Sequence, residues 1–83
     1  MEIKNPYTTL NELSSGERAK IVGYTQNNST TQRLIEIGFM KGKEVYYIRN
    51  APLKDPLEIQ IGKGLSIALR QSEASLIIIK LQE

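Results

Sequence analysis

Serines, a glycine–lysine–glycine turn and a scatter of carboxylates are the side chains here whose types could do chemistry. Ser14, Ser15, Ser72 and Ser75 are potential nucleophiles, but a serine hydroxyl needs a neighbouring base to lose its proton. The chain has no histidine and no cysteine, which removes Ser-His and Cys-His chemistry together. No serine–lysine motif replaces them. The serines therefore read as turn and cap residues, no catalytic residue is expected, and the protein is not expected to be an enzyme. Gly62-Lys63-Gly64 lacks the glycine spacing and the following Ser/Thr-headed helix of a phosphate loop. It joins two alternating apolar segments and reads as a hairpin turn.

Metal binding would fall to carboxylates, carbonyls, amides or methionine. Glu12, Glu36, Asp55 and Glu58 match neither a Glu-x-x-His site nor the acidic repeat of a calcium loop. They read as salt-bridge or cap residues, and the metal ligands, if any, stay unassigned. Lys41, Lys43, Arg49, Lys54, Lys63 and Arg70 stand near Tyr46 and Tyr47, the residue types of a single-strand nucleic-acid platform. Against that, 11 basic residues face 9 acidic ones, a formal charge of only +2, too little to imply nucleic acid on its own.

The elements that would position these residues are short. Thr9 and Glu12 form a capping-box pattern, giving one helical turn that breaks at Ser14-Ser15-Gly16. Ala19 to Tyr24 reads as a strand with Ala19 and Ile21 inward and Gly23 at a bend or bulge. A polar loop follows, and Ser29 with Gln32 fits a second capping box opening a helix to about Ile37. Leu34 and Ile37 share its inner face, with Ile35 at the edge. Gly38 suits a left-handed C′ position, with Phe39 folding back on Leu34. Met40 to Lys43 reads as a turn with Gly42 at positive φ.

Glu44 to Asn50 alternates as a strand, Val45 and Tyr47 on one face, Tyr46 and Ile48 on the other. Leu57, Ile59 and Ile61 alternate with Glu58 and Gln60, and Leu65, Ile67 and Leu69 return after the hairpin. Ser72 can cap a helical turn at Glu73–Ser75, and Leu76 to Leu81 closes the chain as a strand. Five closely spaced strands with small helical insertions predict an all-β fold, a small barrel or sandwich.

Eighty-three residues make one domain that buries roughly 60–65% of its unfolded surface. Without cysteine it has no disulfide staple, which fits a reducing compartment. No signal-peptide core is expected, nor any apolar run of the ~20 residues that span a bilayer. Phe39, Met40, Tyr46, Ile48, Leu53 and Ile78 exceed what so small a core takes up. They predict an exposed patch of the kind that marks an interaction surface.

The order Leu10-x-x-Leu13-x-x-Gly16, Ile21, Arg33-Leu34-x-x-x-Gly38-Phe39-x-x-Gly42-x-x-Val45, Ala51-Pro52-x-x-Asp55-Pro56, Leu65-x-Ile67-Ala68-Leu69-Arg70 and Glu73-Ala74-x-x-Ile77-x-Ile79 resembles the FeoA family. The likeness covers about residues 9–81, within a single domain of residues 1–83. It implies an SH3-like barrel and a cytoplasmic accessory role in bacterial ferrous iron uptake. The implied partner is the cytoplasmic portion of a membrane ferrous iron permease carrying a GTPase domain, which would hold the accessory at the inner membrane. Fe2+ is the transported ion, no resident cofactor is implied, and transition-metal binding accompanies the family. Arg33, Gly38, Gly42, Pro52, Asp55 and Pro56 match its pattern, each with a structural role; Arg33 is expected to pair with Asp55. The expected partner-binding residues are Phe39, Met40, Tyr46, Ile48 and Leu53, with Arg49 and Lys54 steering charge. The alternatives are a nucleic-acid-binding barrel and a metal-sensing module. Self-association through Leu76–Ile79 is a further expectation if that run is uncovered.

Overall fold

The computed structural model describes residues 5–50 and 55–82. Along the chain run β1 (Tyr7–Thr9), a 3-10 turn (Leu10–Glu12), β2 (Arg18–Tyr24), α1 (Ser29–Glu36), β3 (Glu44–Asn50), β4 (Leu57–Ile61), β5 (Leu65–Leu69), α2 (Gln71–Ala74) and β6 (Ile77–Gln82). The six strands form one antiparallel sheet in the order β1-β6-β2-β3-β4-β5. The architecture is mostly β, as expected, but with six strands where the sequence pattern predicts five. The additional one is β1, three residues too short to show a period, stabilised by pairing Tyr7 with Lys80 and Thr9 with Ile78.

Period-2 alternation sorts the strands. Ala19, Ile21, Val45, Tyr47, Leu57 and Ile59 are all buried, together with Ile77 and Ile79 of β6. The expected inward sets of β2, β3 and β4 are thus the core. β5 departs from expectation: Leu69 is buried, Ile67 half-buried, and Leu65 is 55% exposed. As the terminal strand of the sheet, β5 has only β4 beside it among the described residues. The Leu76–Ile79 run lies between β1 and β2, with Ile77 and Ile79 buried and Ile78 half-buried. Leu76, just before β6, is half-buried as well, so Leu76 and Ile78 keep the outward share of that run.

Two bulges re-aim side chains. Register shifts between Ile21 and Gly23, so Val22 and Gly23 both oppose Ile78, the irregularity expected at Gly23. A second shift between Tyr47 and Arg49 sets both Ile48 and Arg49 against Glu58.

The helices are capped differently from the sequence reading. Asn28, not Ser29, is the N-cap of α1, its Oδ1 accepting from the Thr31 amide at 2.9 Å. Thr31, in the first turn of α1, is buried, and its hydroxyl donates to the Gln26 carbonyl at 2.9 Å. At the other end the Phe39 amide donates to the Leu34 carbonyl at 3.0 Å and the Gly38 amide to Ile35 at 3.1 Å. Those two bonds make the expected Schellman cap, with Gly38 at φ +127. Because the helix unwinds there, Ile37 turns outward and is 40% exposed, contrary to its expected place beside Leu34. The Thr9 capping box also does not form: its hydroxyl donates to Asn11 Oδ1 at 2.6 Å. The Met40–Lys43 turn closes with Lys43 N–H donating to Met40 O at 3.1 Å, Gly42 at φ +93.

Candidate functional site

Two residues of the recognisable motif, Arg33 and Asp55, converge on α2. Arg33 leaves the exposed side of α1 and pairs with Glu73, not with Asp55 as the sequence suggests. Asp55 Oδ1 instead accepts from the Gln71 amide at 2.9 Å, satisfying one of the unpaired donors at the start of α2. Glu73 Oε1 accepts from the Arg70 amide at 3.0 Å. Three carboxylate contacts thus fix a one-turn helix, and Ser72 is not its cap. The Arg70 N–H, backed by Arg33, holds the Glu73 carboxyl below the usual carboxylate range although partial burial opposes this. Pro56 follows Asp55 through a cis peptide bond. Pro52 lies outside the described residues, as do Leu53 and Lys54.

Phe39 belongs to the core. Its ring is fully buried, because the cap at Gly38 turns it into the core, and the Tyr24 hydroxyl donates to its carbonyl at 2.7 Å. It therefore leaves the expected partner-binding set. Met40, just beyond it, is 43% exposed, near the equally outward Ile37.

The remaining candidates share the outer face of the sheet. Val45 and Tyr47 point inward, so Tyr46 points outward, with Arg18 of β2 and Gln60 of β4 directly opposite it. Tyr46 lines an open groove of about 470 Å³ with Arg18, Glu44, Val45, Gln60, Gly62 and Lys63. At its β3 end the bulge places half-buried Ile48 beside exposed Arg49. The Ile48 carbonyl accepts from Ser15 Oγ at 3.0 Å, pinning the loop before β2 against this strand. Arg49 Nε pairs with Glu58 Oε1 at 3.1 Å. Glu58 also accepts from Ser66 Oγ at 3.0 Å, and these two donors hold its carboxyl low.

The structure thus brings together Tyr46, Ile48 and Arg49, and sets Met40 apart on the turn after α1. The sequence reading does not single out Arg18. Its alternation with inward Ala19 already shows its outward direction, whereas its neighbour Tyr46 depends on the β2–β3 register. Tyr47, the second aromatic of a would-be stacking platform, is buried, and burial raises its phenol pKa. Among the described residues no group of three or more carboxylates is placed to hold a metal ion, and no helix is long and apolar enough to cross a membrane.

Residues 8–81 match the FeoA domain family. The chain belongs to the FeoA family. It is therefore a FeoA protein of ferrous iron transport, in a family of non-enzymatic accessory proteins. It is 33% identical over 72 residues to the Fe(2+) transport protein A/Fe(2+) transporter FeoB fusion protein of Porphyromonas gingivalis, which covers 87% of this chain and 8% of that protein. A Campylobacter jejuni relative, provisionally assigned as Fe(2+) transport protein A, is 32% identical over 73 residues, 88% of this chain and 97% of its own length. The zinc complex of Stenotrophomonas maltophilia FeoA, an SH3 domain protein, superposes with a TM-score of 0.76 at 34% identity, covering 88% of this chain and 89% of that one. The fold of this FeoA protein is accordingly SH3-like.

Proposed function

We propose that this FeoA protein is a cytoplasmic adaptor that docks on the cytoplasmic, GTPase-bearing portion of its ferrous iron permease and modulates it. The observation that carries the reading is the Porphyromonas gingivalis relative, in which Fe(2+) transport protein A and FeoB form one polypeptide. Joining two modules replaces diffusion by a high effective concentration, an advantage only when the modules work in contact. A separate FeoA chain must supply the same contact through its surface. An adaptor alters a gate or a GTPase only by binding one conformational state more tightly than another.

The proposed contact surface is the outer sheet face around Tyr46 and Ile48, with Arg49 at its edge and Met40 on the neighbouring turn. Leu53 and Lys54 join it as expectations from sequence. The test is titration of the isolated cytoplasmic portion of the permease with this chain, alongside iron uptake in cells. Tyr46→Glu with Ile48→Glu should weaken binding about tenfold or more, as loss of central contacts does, and reduce uptake. Unchanged binding removes this surface, and no binding by the unsubstituted chain removes the function.

A further inference from the structure

The net charge of +2 conceals an uneven distribution. Ala19 and Ile21 are buried, so Arg18 and Lys20 project from the outer face of β2, and both are exposed. Lys20 lies directly opposite Lys80 of β6 on one side and Glu44 of β3 on the other. Lys80 in turn lies opposite Tyr7, its ammonium 5.8 Å from the ring centroid. In the next row Arg18 stands between Gln82 and Tyr46. Lys63 lines the groove beyond.

Four cations thus share this face with Glu44, because the other carboxylate, Glu58, is already paired with Arg49. Among the described residues the ion pairs are Arg33–Glu73 and Arg49–Glu58. Among those residues Arg18, Lys20, Lys63 and Lys80 pair with no carboxylate. Like charges set directly opposite each other in a sheet oppose folding, and neither the core nor any turn needs Lys20 or Lys80 to be basic.

We propose that the outer face of β1, β6, β2 and β3 docks an acidic polypeptide segment, running across Lys80, Lys20 and Arg18 to the groove at Lys63. Charge complementarity selects the sign of the partner. A polypeptide fits better than nucleic acid or a lipid surface for two reasons on this face. Glu44 sits among the cations and repels a uniform array of phosphates, whereas a peptide can place a neutral or basic residue there. Gln60, Gln82 and the Tyr46 hydroxyl supply the mixed donors and acceptors that a peptide uses. β6, β2 and β3 are each paired on both sides, so the segment binds through side chains rather than by adding a strand. The inference rests on the docking reading above for the partner's identity, and on the surface itself for its chemistry.

Fluorescence anisotropy with a labelled Glu/Asp-rich peptide tests it, beside a single-stranded oligonucleotide and phosphatidylglycerol vesicles. The peptide should bind, more weakly as salt rises. The Lys20→Gln/Lys80→Gln double variant should lose about tenfold in affinity with no fall in melting temperature, since it relieves a like-charge pair, while Arg70→Gln binds normally. No peptide binding, an unaffected double variant, or tighter binding of the oligonucleotide or vesicles overturns the proposal. The permease's cytoplasmic portion, titrated in parallel, separates the two readings. If it binds while the peptide does not, the acidic-segment proposal falls and the adaptor stands; the reverse result supports the acidic-segment proposal and removes the permease.

Discussion

The Glu73 carboxylate joins two helices 40 residues apart through Arg33 while accepting from the Arg70 amide, and that geometry has a pH signature. Its pKa is held below the ordinary 4.5 by the Arg70 N–H and, more weakly, by Arg33. The folded state therefore binds the proton less readily than the unfolded chain. The resulting stabilisation is complete above pH 4.5 and is lost as pH falls through the lower folded value. Glu58 shifts in the same direction. Urea midpoints should accordingly decline below that pH, and Glu73→Gln should lower the neutral-pH midpoint while flattening the acid decline. An equally steep decline in the variant would remove Glu73 from the account. Gly38 offers a second residue-scale test. At φ +127 a side chain is strained, and a Cβ would stand 3.2 Å from Ile61 Cδ1. Gly38→Ala should cost about 1–3 kcal/mol by urea unfolding. Gly42→Ala, at φ +93 with nothing within 4 Å, should cost less. The conformational demand on Gly38 was legible in the sequence, since a helix period stops there and an apolar residue follows. The partner of Arg33 was not, because nothing local distinguishes Asp55 from Glu73 until the sheet sets α2 beside α1.

At the scale of elements, what was legible follows how much of the signal is local. β3 and β4 carry strict alternation, and their inward sets match it. β1 carries three residues and no period, so its existence depends on β6, whose sequence lies at the far end of the chain. Leu65 continues the alternation of β5 yet is exposed, because alternation states which face a residue takes and not whether anything covers it. α2 is the extreme case. A single turn cannot persist alone, as helix nucleation is unfavourable, so its order must come from outside. Asp55, two residues ahead of β4, accepts from Gln71 N at 2.9 Å, and Glu73 closes on Arg70. Asp55→Ala should destabilise the protein by about 0.5–2 kcal/mol, as losing a cap does, with Asp55→Asn nearly neutral. Hydrogen exchange should locate the change in the amides of α2. Normal α2 protection in the alanine variant would show that the Asp55 contact contributes nothing.

Across the whole molecule the sheet order ranks the strands by support. β2 pairs with both β6 and β3, and Ala19, Ile21, Ile77 and Ile79 are completely buried in one continuous core. Amides of β2 and β6 can therefore exchange only when that core opens, at close to the global unfolding free energy. β1 and β5 terminate the sheet, and β5 buries only Leu69 fully. Local opening there sacrifices little apolar contact, so its free energy lies well below the global value. Native-state hydrogen exchange should show β2 and β6 amides in one slow, denaturant-sensitive class and β5 amides in a faster, nearly denaturant-independent one. Addition of the permease's cytoplasmic portion should then slow exchange in the outer-face residues of β2 and β3 while leaving β5 fast. That pattern would distinguish docking on the sheet face from pairing along its free edge. Protection appearing in β5 instead would mean that the partner extends the sheet, and the contact assigned to Tyr46 and Ile48 would have to move to Leu65–Leu69.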